Sequence, residues 1–117
     1  MELTIIIPVY NVENHLSRCL DSIFVGNNID GEFEVIAVDD GSTDNSYGIL
    51  QEYAFRYKQL KIFHQENQGI SVARNKALDI ATGKYIMFVD SDDFVEEDSI
   101  NTILQEAIKT DVDILFY

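Results

Sequence analysis

The sequence predicts an α/β fold in which a mostly parallel sheet carries helices on both faces. Three observations lead there. Apolar, β-branched runs at residues 3–9, 33–38 and 85–89 do not alternate with polar residues, the pattern of strands buried on both faces. Between them lie segments whose apolar residues recur at spacings of three and four, the helical period. The two kinds take turns along the whole chain in the order β-α-β-α-β-α-β-α-β, for which the physical solution is a parallel sheet with right-handed crossovers. No repeat, linker or low-complexity stretch interrupts the order, so residues 1–117 read as a single domain. With 46% hydrophobic residues, 117 positions supply one core and not two.

Taken in order, residues 3–9 form a strand closed by Pro8 and Val9. Leu16, Cys19, Leu20, Ile23 and Phe24 mark the buried face of a first helix, with Asn14 as its N-cap and Gly26 and Asn27 as its stop. A second buried strand at 33–38 runs into Asp39-Asp40-Gly41-Ser42-Thr43-Asp44, which combines turn chemistry with N-cap residues. Ile49, Leu50, Tyr53, Ala54 and Tyr57 then trace the second helix, and 60–64 is a short third strand. A polar loop, 65–69, precedes a helix over 71–81 with Ala73, Ala77, Ile80 and Ala81 on one side and Gly83 as its glycine stop. The fourth strand, 85–89, ends in Asp90-Ser91-Asp92-Asp93. A helix from about 96 to 109 buries Ile100, Ile103, Leu104 and Ala107, and 112–117 is a fifth strand. An apolar strand with no following helix to cover it gives the expectation of a truncated protein whose uncovered sheet edge invites homo-oligomers.

Composition excludes several function classes. Twenty-one Asp and Glu against eight Lys and Arg give a net charge of -13, which repels a polyphosphate backbone and argues against nucleic acid as a partner. Disorder is excluded by long apolar runs with seven Phe and six Tyr. Cys19 stands alone, so neither a disulfide framework nor a thiolate zinc site is available, and a reducing compartment fits. No apolar run approaches the roughly 20 residues that span a bilayer, and the apolar start lacks the basic flank of a signal peptide. The expected location is cytoplasmic, with peripheral attachment to the inner face of the membrane as the variant for a full-length protein.

In an open parallel sheet, ligands bind beyond the carboxyl ends of the strands. Those ends carry Tyr10 and Asn11, then Asp39, Asp40, Gly41 and Ser42, then Asp90, Ser91, Asp92 and Asp93, so acidic groups converge on one edge. Glu96, Glu97 and Asp98 read as the first turn of a helix, where negative charge complements the dipole. Asp90 and Asp92 differ, because they leave a buried strand together at a spacing of two. Carboxylates held about 4 Å apart repel by about 4 kcal/mol at an effective dielectric of 20, which a proton or a hard divalent cation relieves. The sequence contains no G-x-x-x-x-G-K-[ST] and no G-x-G-x-x-G, so a diphosphate in this acidic cleft needs a metal as its bridge.

Four blocks at strand ends resemble a known family: Thr4-Ile5-Ile6-Ile7-Pro8-Val9-Tyr10-Asn11, Val38-Asp39-Asp40-Gly41-Ser42-Thr43-Asp44, Asn67-Gln68-Gly69 with Ala73-Arg74-Asn75, and Phe88-Val89-Asp90-Ser91-Asp92-Asp93. Together they are similar to the successive blocks of family 2 glycosyltransferases, which have the Rossmann-like GT-A fold, a three-layer sandwich. The resemblance implies an inverting transferase acting on a nucleotide diphosphate sugar, most simply UDP-linked, with Mn2+ or Mg2+ as cofactor and a glycan or lipid-linked acceptor. It implies that Pro8, Tyr10 and Asn11 lie beside base and sugar, that Asp40 binds the base with Asp39 as its neighbour, that Gly69 lets the backbone come close, and that Arg74 approaches base or phosphates. Asp90-Ser91-Asp92 becomes the D-x-D motif, with Asp92 as metal ligand, Asp90 directed to ribose or metal, and Asp93 reaching the sugar. The family's carboxylate general base lies well downstream of such blocks, so it is expected beyond residue 117, and residues 1–117 correspond to the donor half.

Two other readings compete. A nucleotide-sugar binding module that never transfers would carry the same residues, and transfer by a full-length protein discriminates it. The D-x-D also resembles that of haloacid-dehalogenase phosphatases, but there it follows the first strand and is succeeded by Thr or Val, where this chain has the fourth strand and Phe94.

Overall fold

The computed structural model describes residues 2–29, 31–110 and 112–116. The elements follow in the predicted order: β1 (Leu3–Val9), α1 (Leu16–Phe24), β2 (Phe33–Asp40), α2 (Ser46–Arg56), β3 (Leu60–Gln65), α3 (Ile70–Ile80), β4 (Tyr85–Phe88), α4 (Ile100–Thr110) and β5 (Ile114–Phe116). Tyr117, expected as the last residue of β5, lies outside the described residues. All strand pairs are parallel, and the sheet order is β3-β2-β1-β4-β5. The chain thus winds outward from β1 to β3, then returns to place β4 on the other side of β1. That reversal creates a crevice at the carboxyl ends of β1 and β4, the place where such sheets hold ligands.

Because side chains alternate across a strand, β1 feeds two cores. Leu3, Ile5, Ile7 and Val9 pack with Leu16, Leu20 and Ile23 of α1, Leu50 of α2, and Ile100 and Leu104 of α4. Ile6 packs on the opposite face with Ile36, Val38, Phe88 and the two small residues Ala73 and Ala77 of α3. Each large side chain buried here contributes about 1.5–3 kcal/mol, so a charge in place of Ile5 or Ile6 would unfold the domain. Among the described residues no helix is long and apolar enough to cross a membrane.

Local details depart from the sequence reading where a distant residue replaces a local signal. α1 begins at Leu16 with His15, not Asn14, in the capping position, and no side chain caps it. Ile80, expected inward, is 40% exposed. Gly83 is not a left-handed helix stop; a Cβ there would run into the backbone nitrogen and hydroxyl of Thr4, so glycine permits α3 to return against β1. α4 starts at Ile100, and Glu96, Glu97 and Asp98 precede it instead of forming its first turn. Asn27 is the reason: its amide donates to the Glu96 carbonyl at 3.1 Å and its oxygen accepts the Ile100 N–H at 2.9 Å. The end of α1 therefore caps α4 across space and holds the acidic segment in an irregular path.

Candidate functional site

The carboxyl ends of β1, β2 and β4, with the start of α3, enclose an open cavity of about 490 Å³. Six of the residues singled out from the sequence line it: Pro8, Tyr10, Asp40, Gly69, Asp90 and Asp92. Pro8 lies past Ile6, the last β1 residue paired with β4, so its missing N–H costs no ladder bond. Tyr10 is about half-exposed and, with Ile70 and Val12, gives the cavity an apolar side.

Asp40 is the best-defined group. It ends β2 and sits opposite Gln65 of β3 in register. One carboxylate oxygen accepts Gln65 Nε2 at 2.8 Å and the Gln68 N–H at 2.7 Å; the other accepts the Gly69 N–H at 3.0 Å. Burial pushes its pKa up, but these three donors outweigh burial and hold it below the ordinary carboxylate value. The group is therefore an anion and an acceptor only. The loop it grips is pressed close: Gly41 has φ 75, and a Cβ there would lie 2.8 Å from the Asn67 nitrogen. Any other residue would push the 65–69 loop outward.

Its neighbour Asp39 points to the other face of the sheet. It is fully buried, absent from the cavity wall, and bonded through Oδ2 to His64 Nδ1 at 2.8 Å and to the Ser42 N–H at 3.3 Å. Asn11 also serves the loops in place of the cavity. Its Oδ1 accepts the Thr43 N–H at 2.8 Å and its own N–H donates to Ser42 Oγ at 2.9 Å. Neither Asp39 nor Asn11 is among the residues that line the cavity. Sequence reasoning gave no ligand role to His64 or Gln65 and none of these partners to Gln68 and Ser42, because the contacts exist only once the strand ends are adjacent.

The acidic turn after β4 closes the cavity. Asp90 and Asp92 line it, whereas Asp93 does not; the Asp93 N–H donates to the Asp90 carbonyl at 3.1 Å and tightens the turn. Arg74 Nη2 lies 3.7 Å from Asp90 Oδ1, and its guanidinium carbon lies 5.6 Å from the centre of the Phe88 ring. Arg74 thus lies beside the acidic turn and is not a cavity wall. Cys19 of α1 sits beneath, its thiol donating to the Asp90 carbonyl at 3.6 Å. Burial, then the charges of Asp93, Asp92 and Asp90, push that thiol up to about 12, so it packs as a small apolar group and is no nucleophile at neutral pH. Among the described residues no three of His, Cys, Asp and Glu come together as a metal site.

Fold and site together define a Rossmann-like α/β domain with an acidic ligand cleft at its switch point. The chain belongs to glycosyl transferase family 2, whose model matches residues 4–117. Glycosyltransferase GlyA of Streptococcus pneumoniae is 42% identical over 113 residues, covering 97% of this chain and 16% of GlyA. Staphylococcus aureus TarS 1-349, solved in complex with UDP, superposes with a TM-score of 0.83 at 32% identity over 93% of this chain and 32% of TarS. The mannosyltransferase PcManGT of Pyrobaculum calidifontis, solved with GDP-Man and Mn2+, gives a TM-score of 0.77 at 28% identity over 92% of this chain and 31% of the other. These neighbours have the GT-A fold, and the family assignment replaces the phosphatase reading. The chain spans between a sixth and a third of the length of these relatives.

Proposed function

We propose that this domain binds the nucleotide diphosphate sugar, UDP-linked, of an inverting glycosyltransferase. The observation that carries the reading is Asp40, a buried carboxylate kept ionised that still lines the cavity. An acceptor-only group there pairs with a base edge that presents an N–H donor, as uracil does at N3. Tyr10 and Ile70 provide the apolar surface against which a base packs. The UDP complex of TarS supports this choice of base.

Asp90 and Asp92 are oxygen donors of the kind a hard divalent cation takes, and they would hold Mn2+ or Mg2+ at the cavity wall. Such an ion, when bound, supplies Lewis-acid stabilisation to the departing diphosphate. Arg74, beside Asp90, adds positive charge on the same side, and Asp93, which extends the motif, is the residue we assign to the sugar. The Mn2+ in PcManGT supports the assignment. Acceptor binding and the general base belong to residues outside 1–117, so these residues alone bind donor without transferring it.

Calorimetry tests the reading. UDP should bind in the presence of Mn2+ or Mg2+, bind weakly in EDTA, and outcompete CDP. A ligand at 100 times its dissociation constant also stabilises the fold by about 2.7 kcal/mol, which a thermal shift detects. Asp92→Ala should abolish the metal effect, and an unchanged metal dependence in that variant would overturn the D-x-D assignment. Multi-turnover transfer by residues 1–117 would show that the base lies among them.

A further inference from the structure

We propose that Asp39 and His64 are positioning residues that act from behind the cavity, through Ser42 and Asn11, to hold Tyr10 at its wall. The proposal rests on the reading of the cavity as a nucleotide site. Asp39 is fully buried, yet its Oδ1 has no hydrogen-bond partner, and the two donors to its Oδ2 are His64 Nδ1 and the Ser42 N–H. A buried carboxylate so sparsely solvated is costly to keep, and we assign its retention to the geometry it fixes.

The geometry fixed here is a chain of contacts that ends at the cavity. Asp39 and His64 are register partners on β2 and β3, so their bond spans neighbouring strand ends. The Tyr47 ring of α2 packs 5.3 Å from the His64 ring, centre to centre, and restrains the imidazole from its other side. Asp39 then closes the turn containing Ser42, whose hydroxyl accepts the Asn11 N–H at 2.9 Å. Asn11 is held at φ 49, a conformation that few non-glycine residues adopt, and its side chain reaches back to the Thr43 N–H at 2.8 Å. Two loops are thereby locked to each other immediately beside Tyr10. His64 is half-exposed, so it can be replaced without opening the core.

The test uses residues 1–117 with His64→Ala and His64→Asn, the second of which places an amide donor where Nδ1 stood. Amide hydrogen exchange of Asn11 and Thr43 is measured by NMR, and UDP affinity by calorimetry with Mn2+. His64→Ala should speed exchange at Asn11 and Thr43 selectively, leave the β1 and β2 interior unchanged, and weaken UDP on the order of tenfold, the equivalent of one hydrogen bond to a charged group. His64→Asn should restore both. Exchange that rises uniformly would overturn the proposal in favour of a global stability role. Unchanged exchange, or selective loosening with wild-type UDP affinity, would overturn it as well. Should the wild-type chain fail to bind UDP, the nucleotide reading falls, and the exchange pattern alone decides whether the relay exists.

Discussion

Glu34 and Asp40 stand at opposite ends of the same face of β2, and both are buried acids that tie down an end of α3. Glu34 grips the segment after the helix: its Oε2 accepts the Thr82 N–H at 2.8 Å, the Thr82 hydroxyl at 2.9 Å and the Thr4 hydroxyl at 2.7 Å, while Lys61 Nζ reaches Oε1 at 2.7 Å. Asp40 grips the segment before it, through Gln65, Gln68 and Gly69. A carboxylate offers about four acceptor positions. Glu34 fills them from within the protein at the closed end of the sheet, whereas Asp40 fills three and faces the cavity. The difference teaches that the same device is saturated where it only fastens and keeps acceptor capacity where it faces the cavity, the capacity that the proposed function assigns to recognition of the base.

The largest effect should come from breaking the fastener. Glu34→Ala removes a carboxylate that is 1% exposed and strands the Thr82 N–H and two hydroxyls, for a loss of about 3 kcal/mol in urea unfolding. UDP affinity measured well below the unfolding transition should stay as in the wild type. A variant that remains as stable as the parent would show that Glu34 is not what holds α3.

Acid titration reads the same group without removing it. Burial alone would raise the Glu34 pKa, but Lys61, Thr4 and Thr82 overcome burial and lower it from 4.5 to about 2. A folded-state pKa below the unfolded one means stability that is complete above pH 4.5 and lost as pH falls toward about 2, about 3 kcal/mol in all. Asp40 and Asp44 are lowered too and steepen the same acid limb. In Glu34→Gln the limb should be shallower between those two pH values, because the side chain no longer titrates. An acid limb identical to the wild type would assign the acid sensitivity to other carboxylates.

How much of this comparison was legible in the sequence follows from how local each signal is. The strands were readable because an unbroken apolar run such as Ile5-Ile6-Ile7 can only be buried on both faces, and Asp40, Asp90 and Asp92 were found because a strand end is a position that sequence defines. Glu34 was passed over inside a strand, since its partners Thr4, Lys61 and Thr82 come from three other segments. The same holds for Asn27, which caps α4 from the far end of α1 and so shortened a helix whose local pattern began earlier. Asn11 and Asp39 were placed near the ligand by the family resemblance, and what the sequence could not show is that strand alternation and a left-handed backbone engage their side chains with the loops.

Asp40→Ala should produce the mirror image of Glu34→Ala. UDP binding should weaken by about 1.5–3 kcal/mol, the scale of a hydrogen bond to a charged group, with a smaller loss of stability, about 1–2 kcal/mol, from the freed Gln68 and Gly69 amides. Calorimetry and urea unfolding on one preparation separate the two. A stability loss with no change in affinity would make Asp40 a second fastener and move the base elsewhere in the cavity.

Asp44 offers the smallest effect and the sharpest discrimination, because it shares the end of the sheet and the spare acceptor capacity of Asp40 but does not line the cavity. Its Oδ1 accepts the Ser46 N–H at 2.8 Å at the start of α2, and its Oδ2 accepts the Glu13 N–H at 3.2 Å before α1. Burial raises its pKa, yet Ser46 and the Glu13 amide outweigh burial and lower it, so it too is an anion at neutral pH. It is not among the residues lining the cavity. If location at the carboxyl end of the sheet decided function, Asp44→Ala would weaken UDP as Asp40→Ala does. If facing the cavity with spare acceptor capacity decides it, Asp44→Ala costs about 1 kcal/mol of stability, the usual scale for a lost helix N-terminal acceptor, and leaves UDP affinity at the wild-type value. Equal losses of affinity in the two variants would reject the distinction between fastener and recognition group that Glu34 and Asp40 define.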